Sequence, residues 1–271
     1  MLTVVGRARV LLPLALICLT AACGVRRLEL PTDSGRSLPD YEAIHRELSA
    51  ACRGVNTLTT ELSLSGRARE QRLGGTLHAG FRVPASMRLE LRVPPFNTLG
   101  FVLAADGAST TLLLPRTDEA VRGTRADEIL GALTGITLSP ADLMAILTGC
   151  VVPAPRPTAG RVHAGGVASL DLEGPATLYL ESTRDGWRLR AARRGDWRID
   201  YLDWPESGRY PSRLELTASS PLAVKLTARL AQTEVNVPIP DAAFAVTVPA
   251  GADLITIEEL RQAGPLRDGA P

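Results

Sequence analysis

The side chains that most often perform catalysis are sparse in this chain and do not form a familiar catalytic pattern. Three histidines, His45, His78 and His163, fall in a predicted helix, a predicted strand and a predicted loop. The sequence contains no GxSxG, P-loop, HExxH or strand-linked GxGxxG motif, and no pair of acids is singled out by its spacing. We therefore expect a protein that is not an enzyme and holds no metal or cofactor. A hydrolase would need a nucleophile beside His78 or His163.

A cysteine near the start of the chain is a candidate for lipid attachment. The apolar run 10–19 follows two arginines and is of signal-peptide length, too short to span a bilayer as a helix. Small residues then lead directly to Cys23, a pattern that resembles a bacterial lipobox. We expect cleavage of residues 1–22, acylation of Cys23 and, because Gly24 is not aspartate, sorting to the periplasmic face of the outer membrane. The alternative is an ordinary secretory signal with a chance cysteine.

The chain that remains after such cleavage is nearly neutral and holds two further cysteines. Loss of Arg7 and Arg9 would leave 28 of the 30 basic residues against 29 acidic ones. That balance argues against nucleic acid as the main partner. Cys52 and Cys150 each lie near the end of a predicted helix. Because the periplasm permits disulfides, they form either one bridge or two buried thiols.

Hydropathy periodicity divides the mature chain into a tether, one helix, many strands and two short inserted helices. Residues 24–37 are polar, with Pro and Ser, and predict a tether. An apolar face of period three to four then predicts a helix from residue 38, capped by Ser37. Period-two alternation predicts about ten strands, which are antiparallel because their connections are short. The inserted helices begin near Thr124 and Ser139.

These elements predict one domain with a short extension at each end. A proline-rich connector, residues 152–160, separates the inserted helices from the later strands. We expect a single domain over residues 38–262, preceded by a lipidated N-terminus and tether at 23–37. Residues 263–271 are expected to form a flexible tail, and the protein is expected to be a monomer.

The segment between residues 124 and 150 resembles one known family, the LolB outer-membrane lipoprotein receptors. In that family an acidic cap, a short helix with a Leu-Thr-Gly turn, a proline and a second helix ending in glycine follow the first hairpins. A Gly-Arg strand and an alternating strand before a Pro-containing loop lie upstream. The matching residues of this chain are Ala126–Ile129, Leu133–Gly135, Pro140 and Ile146–Gly149, with Ser65–Arg67 and Arg88–Leu91 upstream.

The resemblance implies a curved antiparallel half-barrel that encloses an apolar cavity lidded by helices. It implies a receptor that accepts the acyl chains of lipoproteins from a periplasmic LolA-like carrier and delivers them to outer-membrane lipid. Burial of acyl surface, at about 25 cal/mol per Å², would supply the affinity. For the tryptophans, plain core packing is the alternative to a cavity wall. Candidate cavity or lid residues are Ile129, Leu133, Leu143, Ile146, Leu147, Trp187 and Trp197.

A loop after residue 93 carries an aromatic side chain. Pro94–Asn97 joins an alternating strand to a hairpin, and such loops normally lie on the surface. The LolB-like family has a protruding leucine after a proline at this place. The resemblance therefore matches Pro95 and Phe96 to the tip, with Leu99 as the rival, and implies that the tip enters the membrane during delivery. The alternative is that Phe96 folds into the core.

A second interpretation, from another class of protein, stays open. The chain would then be a structural or assembly lipoprotein that uses the same fold to bind a protein partner. The receptor interpretation predicts a continuous apolar cavity large enough for acyl chains. The partner-binding interpretation predicts a large apolar patch outside the barrel.

Overall fold

The computed structural model describes most of the chain from residue 27 to residue 263. Cys23, the expected signal segment 1–22 and the expected tail beyond residue 263 lie outside the described residues. The described ranges are 27–50, 52–68, 71–134, 137–150, 156–184, 186–205, 209–218 and 223–263.

Fifteen strands and four α-helices make up the regular structure of these ranges. The strands are β1 Arg36–Ser37, β2 Thr57–Ala68, β3 Gln71–Arg82, β4 Ser86–Val93, β5 Thr98–Asp106, β6 Thr110–Leu114, β7 Glu119–Arg122, β8 Pro157–Val162, β9 Val167–Leu172, β10 Ala176–Thr183, β11 Gly186–Arg194, β12 Trp197–Asp203, β13 Arg213–Ala218, β14 Val224–Val235 and β15 Asp253–Leu254. The helices are α1 Tyr41–Ala50, α2 Ala126–Thr134, α3 Pro140–Thr148 and α4 Ile257–Ala263.

All the strands belong to one curved sheet that does not close into a barrel. β2 to β7 and β8 to β14 follow the chain order as antiparallel neighbours, and β14 pairs with β2 to join the two runs. The short strands β1 and β15 form the free edges, and β15 pairs with β7 in parallel. The sheet is therefore an open half-barrel, with a concave inner face and a convex outer face.

The sheet has fifteen strands where the sequence pattern predicts about ten. β1 and β15 have two residues each and β7 has four, so alternation is too brief to be visible in the sequence. β8 lies partly inside the expected proline-rich connector 152–160. Pro157 is its first residue, a position at which the missing N–H is tolerated.

The helices begin and end for local reasons. α1 begins at Tyr41 and not at residue 38, and Ser37 does not cap it, because Arg36 and Ser37 pair with β8. At α3, Ser139 Oγ accepts a hydrogen bond from the Asp142 N–H at 3.1 Å, and the Asp142 carboxylate accepts one from the Ser139 N–H at 3.2 Å. Gly149, at a left-handed φ of 66°, ends α3.

A disulfide joins the C-terminal ends of α1 and α3. Cys52 and Cys150 are bonded, with their Cα atoms 5.6 Å apart and a sequence separation of 98. In the chain-entropy model a loop of that size corresponds to about 4–5 kcal/mol of stabilisation. The bridge fixes one end of an inserted helix to the rest of the domain.

The hydrophobic core lies between the inner face of the sheet and the helices. Inward-pointing residues of four adjacent strands are almost completely buried: Leu58, Leu62, Phe81, Met87 and Leu103. Side chains of α2 and α3 belong to the same cluster, and α4 packs against α2. None of the helices in the described ranges is both long enough and apolar enough to span a membrane.

Both ends of the described chain cross the outer face of the sheet. Near the C-terminus, the turn Asp241–Phe244 packs against β4 and β5, and the Arg82 guanidinium lies 4.7 Å from the centre of the Phe244 ring. Near the N-terminus, the carbonyl of Leu28 accepts a hydrogen bond from Arg198 at 2.6 Å. The expected tether is therefore held against the domain over its described part, residues 27–37.

Candidate functional site

The sheet has two ends with different connections. The strand register places the β2–β3 turn, the β4–β5 loop at 94–97 and the β11–β12 turn at one end, which we call the rim. The β3–β4 turn at 83–85 and the Cys52–Cys150 bridge lie at the opposite end, which we call the base. The long strands reach from the rim to the base, so the solvent exposure of an inner-face residue can depend on which end of the sheet it occupies.

The lid candidates on the inserted helices face the sheet. Ile129, Leu133 and Leu147 are buried and belong to the main core cluster. Leu143 and Ile146 are partly buried and pack against that cluster. The helices therefore cover the inner face with the residues that the sequence pattern identifies.

An apolar group that the sequence analysis does not identify lies on the inner face at the rim. Ala218 and Val224 are buried there, and five partly buried side chains pack around them. The members come from four strands, β3, β12, β13 and β14, and from the α2–α3 connection. Since β2 lies between β3 and β14 in the sheet, their closeness depends on the pairing of β14 with β2. Strict alternation in β13 and β14 is the only sequence signal for it. We call this group the rim cluster: Leu73, Leu138, Trp197, Leu216, Ala218, Val224 and Leu226.

The two candidate tryptophans lie at opposite ends of the sheet. Trp197 begins β12 at the rim and belongs to the rim cluster. Trp187 lies near the base end of β11, opposite Ser182, and packs against the margin of the main core. They do not form one wall, although both are on the inner side.

Side chains of the helices pack against the described inner face, where the resemblance implies an apolar cavity lidded by helices. Among cavities lined by described residues, one of about 580 Å³ lies on the outer face beneath the Asp241–Phe244 turn, and its lining includes Glu61, His78 and Arg88. An apolar one, lined partly by Phe81 and Met144, has only about 10 Å³. Side chains of α2 and α3 occupy the space that the resemblance assigns to acyl chains.

The helix α3 is held differently at its two ends. At the base, Cys150 follows its C-terminus and is covalently bonded to Cys52. At its N-terminus, Arg194 and Asp142 form an ion pair at 3.2 Å, and the arginine side chain is 72% exposed. Exposed ion pairs typically contribute less than about 1 kcal/mol. The C-terminal end of α3 is therefore held covalently, whereas its N-terminal end is held by non-covalent contacts.

The β4–β5 loop projects from the rim and presents Phe96. The Phe96 side chain is 88% exposed, whereas Leu99 is partly buried in β5. Arg92 pairs with Leu99 where the loop joins the sheet, and Asn97 turns the chain with a left-handed φ of 54°. Phe96, and not Leu99, is thus the exposed apolar residue of the loop; Pro95 precedes it in a cis peptide bond with Pro94.

One histidine has a serine and an aspartate as neighbours. The His163 ring lies 2.6 Å from an Asp33 oxygen through Nδ1 and 2.8 Å from Ser169 Oγ through Nε2. This order resembles a Ser-His-Asp relay, but Ser169 is only 4% exposed on the outer face of β9. Asp33 also accepts a hydrogen bond from the Gly35 N–H at 2.8 Å. The contacts hold the N-terminal segment to the β8–β9 hairpin at the base.

Comparison with known proteins identifies the fold at low sequence identity. No protein-family profile and no curated protein matches the chain. A crystal structure of a LolA superfamily protein from Nitrosomonas europaea has a TM-score of 0.52 and 9% identity over 75% of this chain and 98% of that one. The fold is LolA-like.

A second solved structure has the same overall similarity. It is a DUF1329 family protein from Desulfovibrio piger, with a TM-score of 0.50 and 8% identity over 78% of this chain and 98% of that one. The LolA-like fold agrees with the architecture that the sequence resemblance implies. At these identities the similarity concerns the fold and does not distinguish LolB receptors from other proteins that share it.

Proposed function

We propose that this protein is an outer-membrane-anchored, non-enzymatic receptor for acylated lipoproteins. It accepts acyl chains from a periplasmic LolA-like carrier onto its inner face and delivers them to the outer membrane. The anchor would be the acylated Cys23, since two or more acyl chains give stable membrane attachment. The alternative is a lipoprotein with the same fold that binds a protein partner.

The rim cluster is the observation that carries the proposal. Its side chains are apolar and lie on the concave face, and five of the seven are only partly buried, so they offer a start for acyl chains at the mouth of the half-barrel. The main core continues from it along the same strands towards the base. Each fully buried methylene would contribute about 0.8 kcal/mol.

Acyl chains need room, and the inner face is filled by the inserted helices. We infer that α3 swings away at its N-terminal end while the disulfide keeps its C-terminal end in place. The exposed Arg194–Asp142 pair is the polar contact that must break. Acyl chains would then replace Leu143 and Ile146 against the sheet, exchanging one apolar contact for another.

Phe96 would take part in release and not in acceptance. It lies outside the inner face, at the tip of a loop on the same rim as the mouth. Transfer of an exposed phenylalanine into lipid removes a large apolar surface from water, worth about 1.5–3 kcal/mol. The loop would bring the mouth and the bilayer together while the cargo leaves.

A transfer assay tests the proposal. A carrier loaded with a labelled lipoprotein is mixed with the unlipidated mature chain, and the label is followed into this protein and then into vesicles. Wild type should accept the label and pass it on. Phe96→Glu should accept it equally but deliver it at least about tenfold more slowly, because the glutamate loses the apolar transfer energy.

Val237→Glu is the matched control, because it places the same charge on an exposed apolar residue after the base end of β14. It should behave as wild type in both steps. Failure of wild type to accept the label contradicts the receptor proposal. Unchanged delivery by Phe96→Glu contradicts the role of the loop alone.

The helices α2 and α3 pack against the inner face. If they do not move away from it, acyl chains have no place there and the partner-binding alternative is favoured. A protein of that kind should take up no acyl chain, even when the Arg194–Asp142 pair is removed. Uptake by Arg194→Ala therefore separates the two functions, and lack of uptake by both wild type and Arg194→Ala supports the alternative.

A further inference from the structure

A row of basic side chains lies on the outer face at the rim. Lys225 of β14 is directly opposite Arg67 of β2, and Arg67 is directly opposite Arg72 of β3. All three side chains are exposed, and in the described part of the chain none makes an ion pair or a side-chain hydrogen bond. We call Arg67, Arg72 and Lys225 the basic row.

Repulsion between the three positive charges of the basic row destabilises the fold unless an anion binds between them. Cross-strand partners lie about 4.5–5.5 Å apart, and like charges directly opposite each other are destabilising. Between β2 and β3 the sequence adds Arg69 and Glu70, whose opposite charges leave the net charge of this region unchanged. The backbones of β2 and β14 approach closely beside the row. Gly66 has a φ of 152°, and a Cβ there would lie 2.1 Å from the Lys225 carbonyl oxygen.

The described N-terminal segment, which follows the expected lipid anchor in sequence, runs over the outer face near the basic row. Arg27 forms an ion pair with Glu215 on the outer face of β13, and Arg198 of β12 binds the Leu28 carbonyl. β13 is the neighbour of β14, the strand that carries Lys225. Cys23 precedes Arg27 by four residues, so an extended chain places it within about 14 Å of Arg27.

The Phe96 loop lies on the other side of the row. β14, β2, β3 and β4 are consecutive in the sheet, and β4 leads into the loop at the rim. The basic row and the exposed Phe96 therefore lie along one stretch of the rim, and the first described residues, Arg27 and Leu28, lie on the outer face beside it. A flat anionic surface can meet the basic row and Phe96 at once.

We propose that the basic row binds the phosphate headgroups of an anionic phospholipid bilayer and orients the rim towards the membrane. This inference deepens the proposed function, since it names the surface that receives the cargo. A basic side chain near an anionic membrane typically strengthens binding about fivefold. The row should therefore contribute on the order of 100-fold to partitioning.

Vesicle co-sedimentation of the mature chain from residue 23 tests this, with Cys23→Ser so that no acyl chain contributes. Vesicles of phosphatidylcholine alone are compared with vesicles that also contain phosphatidylglycerol. Wild type should bind only the phosphatidylglycerol vesicles, and molar salt should abolish binding because the screening length falls to about 3 Å. The variant R67Q/R72Q/K225Q should partition on the order of 100-fold less.

The control variant R53Q/R122Q/R184Q removes the same charge from exposed, unpaired residues near the base. It should keep at least half of the wild-type binding. Equal binding of wild type to both vesicle types overturns the inference, and so does an equal loss in the two triple variants, which would mean net charge alone. Retained thermal stability of R67Q/R72Q/K225Q shows that the fold is intact.

The same variants separate this inference from the proposed function. R67Q/R72Q/K225Q should still accept a labelled lipoprotein from its carrier, because the row is on the outer face. Wild type that binds phosphatidylglycerol vesicles but accepts no lipoprotein contradicts the receptor proposal alone. Wild type that accepts lipoprotein but ignores phosphatidylglycerol contradicts the basic-row inference alone.

Discussion

The base and the rim of the half-barrel differ in how firmly their residues are held. At the base, Cys52–Cys150 joins two helices, and Asn236 binds both the Asn56 N–H, at 2.8 Å, and the Gly54 carbonyl, at 2.7 Å. At the rim, the β4–β5 loop exposes Phe96, the basic row has no counter-ion among the described residues, and the rim cluster is partly open. The disulfide and the Asn236 hydrogen bonds lie at one end, whereas the most exposed large apolar side chain, Phe96, and the basic row lie at the other.

The difference explains how a small domain can keep such a surface. If the rim meets lipid, as we propose, its apolar and charged groups must stay free of partners within the domain. The long strands β2, β3 and β14 extend from the base to the rim, so contacts at the base hold the rim residues in position. Substitutions at the base should therefore change the free energy of unfolding, and substitutions at the rim should change binding.

The largest expected effect on stability is loss of the base disulfide. Replacing Cys52 and Cys150 together by alanine should lower the free energy of unfolding by about 2–5 kcal/mol, since the unfolded chain gains the freedom of a long loop. Urea unfolding measures the change. The rim variant R67Q/R72Q/K225Q should lose no stability in the same assay. A loss below about 1 kcal/mol in the cysteine variant would mean that the base does not depend on the bridge.

Two asparagines provide a matched comparison of the ends. Asn97 at the rim and Asn236 at the base both have left-handed backbones, with φ of 54° and 61°. Alanine at either position incurs the same backbone strain, but only Asn236→Ala also removes two side-chain hydrogen bonds, worth about 1 kcal/mol each. Asn236→Ala should therefore be about 1–3 kcal/mol more destabilising in thermal or urea unfolding. Equal losses of unfolding free energy in the two variants would contradict the view that side-chain hydrogen bonds hold the base more firmly than the rim.

A smaller effect is expected where α3 meets the sheet. Arg194→Ala removes the exposed ion pair with Asp142 and should accelerate uptake of a fluorescent acyl probe up to about fivefold, because such a pair contributes less than about 1 kcal/mol. Arg193→Ala is the control, since that neighbouring arginine is exposed and makes no ion pair with a described residue. Stopped-flow fluorescence gives both rates. Identical rates would mean that this end of α3 does not limit entry.

The smallest effect is a pH dependence of the N-terminal segment. The hydrogen bond from the His163 ring lowers the pKa of Asp33, with backbone N–H donors adding to it. The contribution to stability is complete above the ordinary aspartate pKa of about 3.9 and is lost as the pH falls through the lower folded-state pKa. Asp33→Asn should therefore lower the melting temperature slightly at pH 7 and by less at pH 3. Asp196→Asn, in an exposed rim turn, should lower it at neither pH.

The sequence predicts those parts of the fold that have a local pattern. Alternation identifies the long strands, and the Ser139-Pro140-Ala141-Asp142 start identifies α3 because the cap is made within four residues. β1, β8 and β15 escape notice because two-residue strands and a strand that begins with proline have no such pattern. The same holds for the described part of the tether, whose contacts with Arg198 and His163 are far away in sequence.

The candidate site is only partly visible in the sequence, because its parts meet through long-range pairing. The rim cluster brings Leu73 and Leu226 together through the register of β14 on β2, and the basic row arises from the same register. Whether Phe96 or Leu99 points outward depends on where β5 starts to pair with β4. How deeply α2 and α3 sit in the half-barrel decides whether its interior is open or filled, and no local pattern encodes that depth.

Photo-crosslinking of an acyl chain tests the central claim most directly. A lipopeptide whose acyl chains carry a diazirine is incubated with the unlipidated mature chain, irradiated, and the labelled residues are found by mass spectrometry. We predict labels on the rim cluster, above all at Leu216 and Leu226, and on the sheet-facing residues of α3, with more label in Arg194→Ala. Labels confined to the outer face, or no label in either protein, would contradict it.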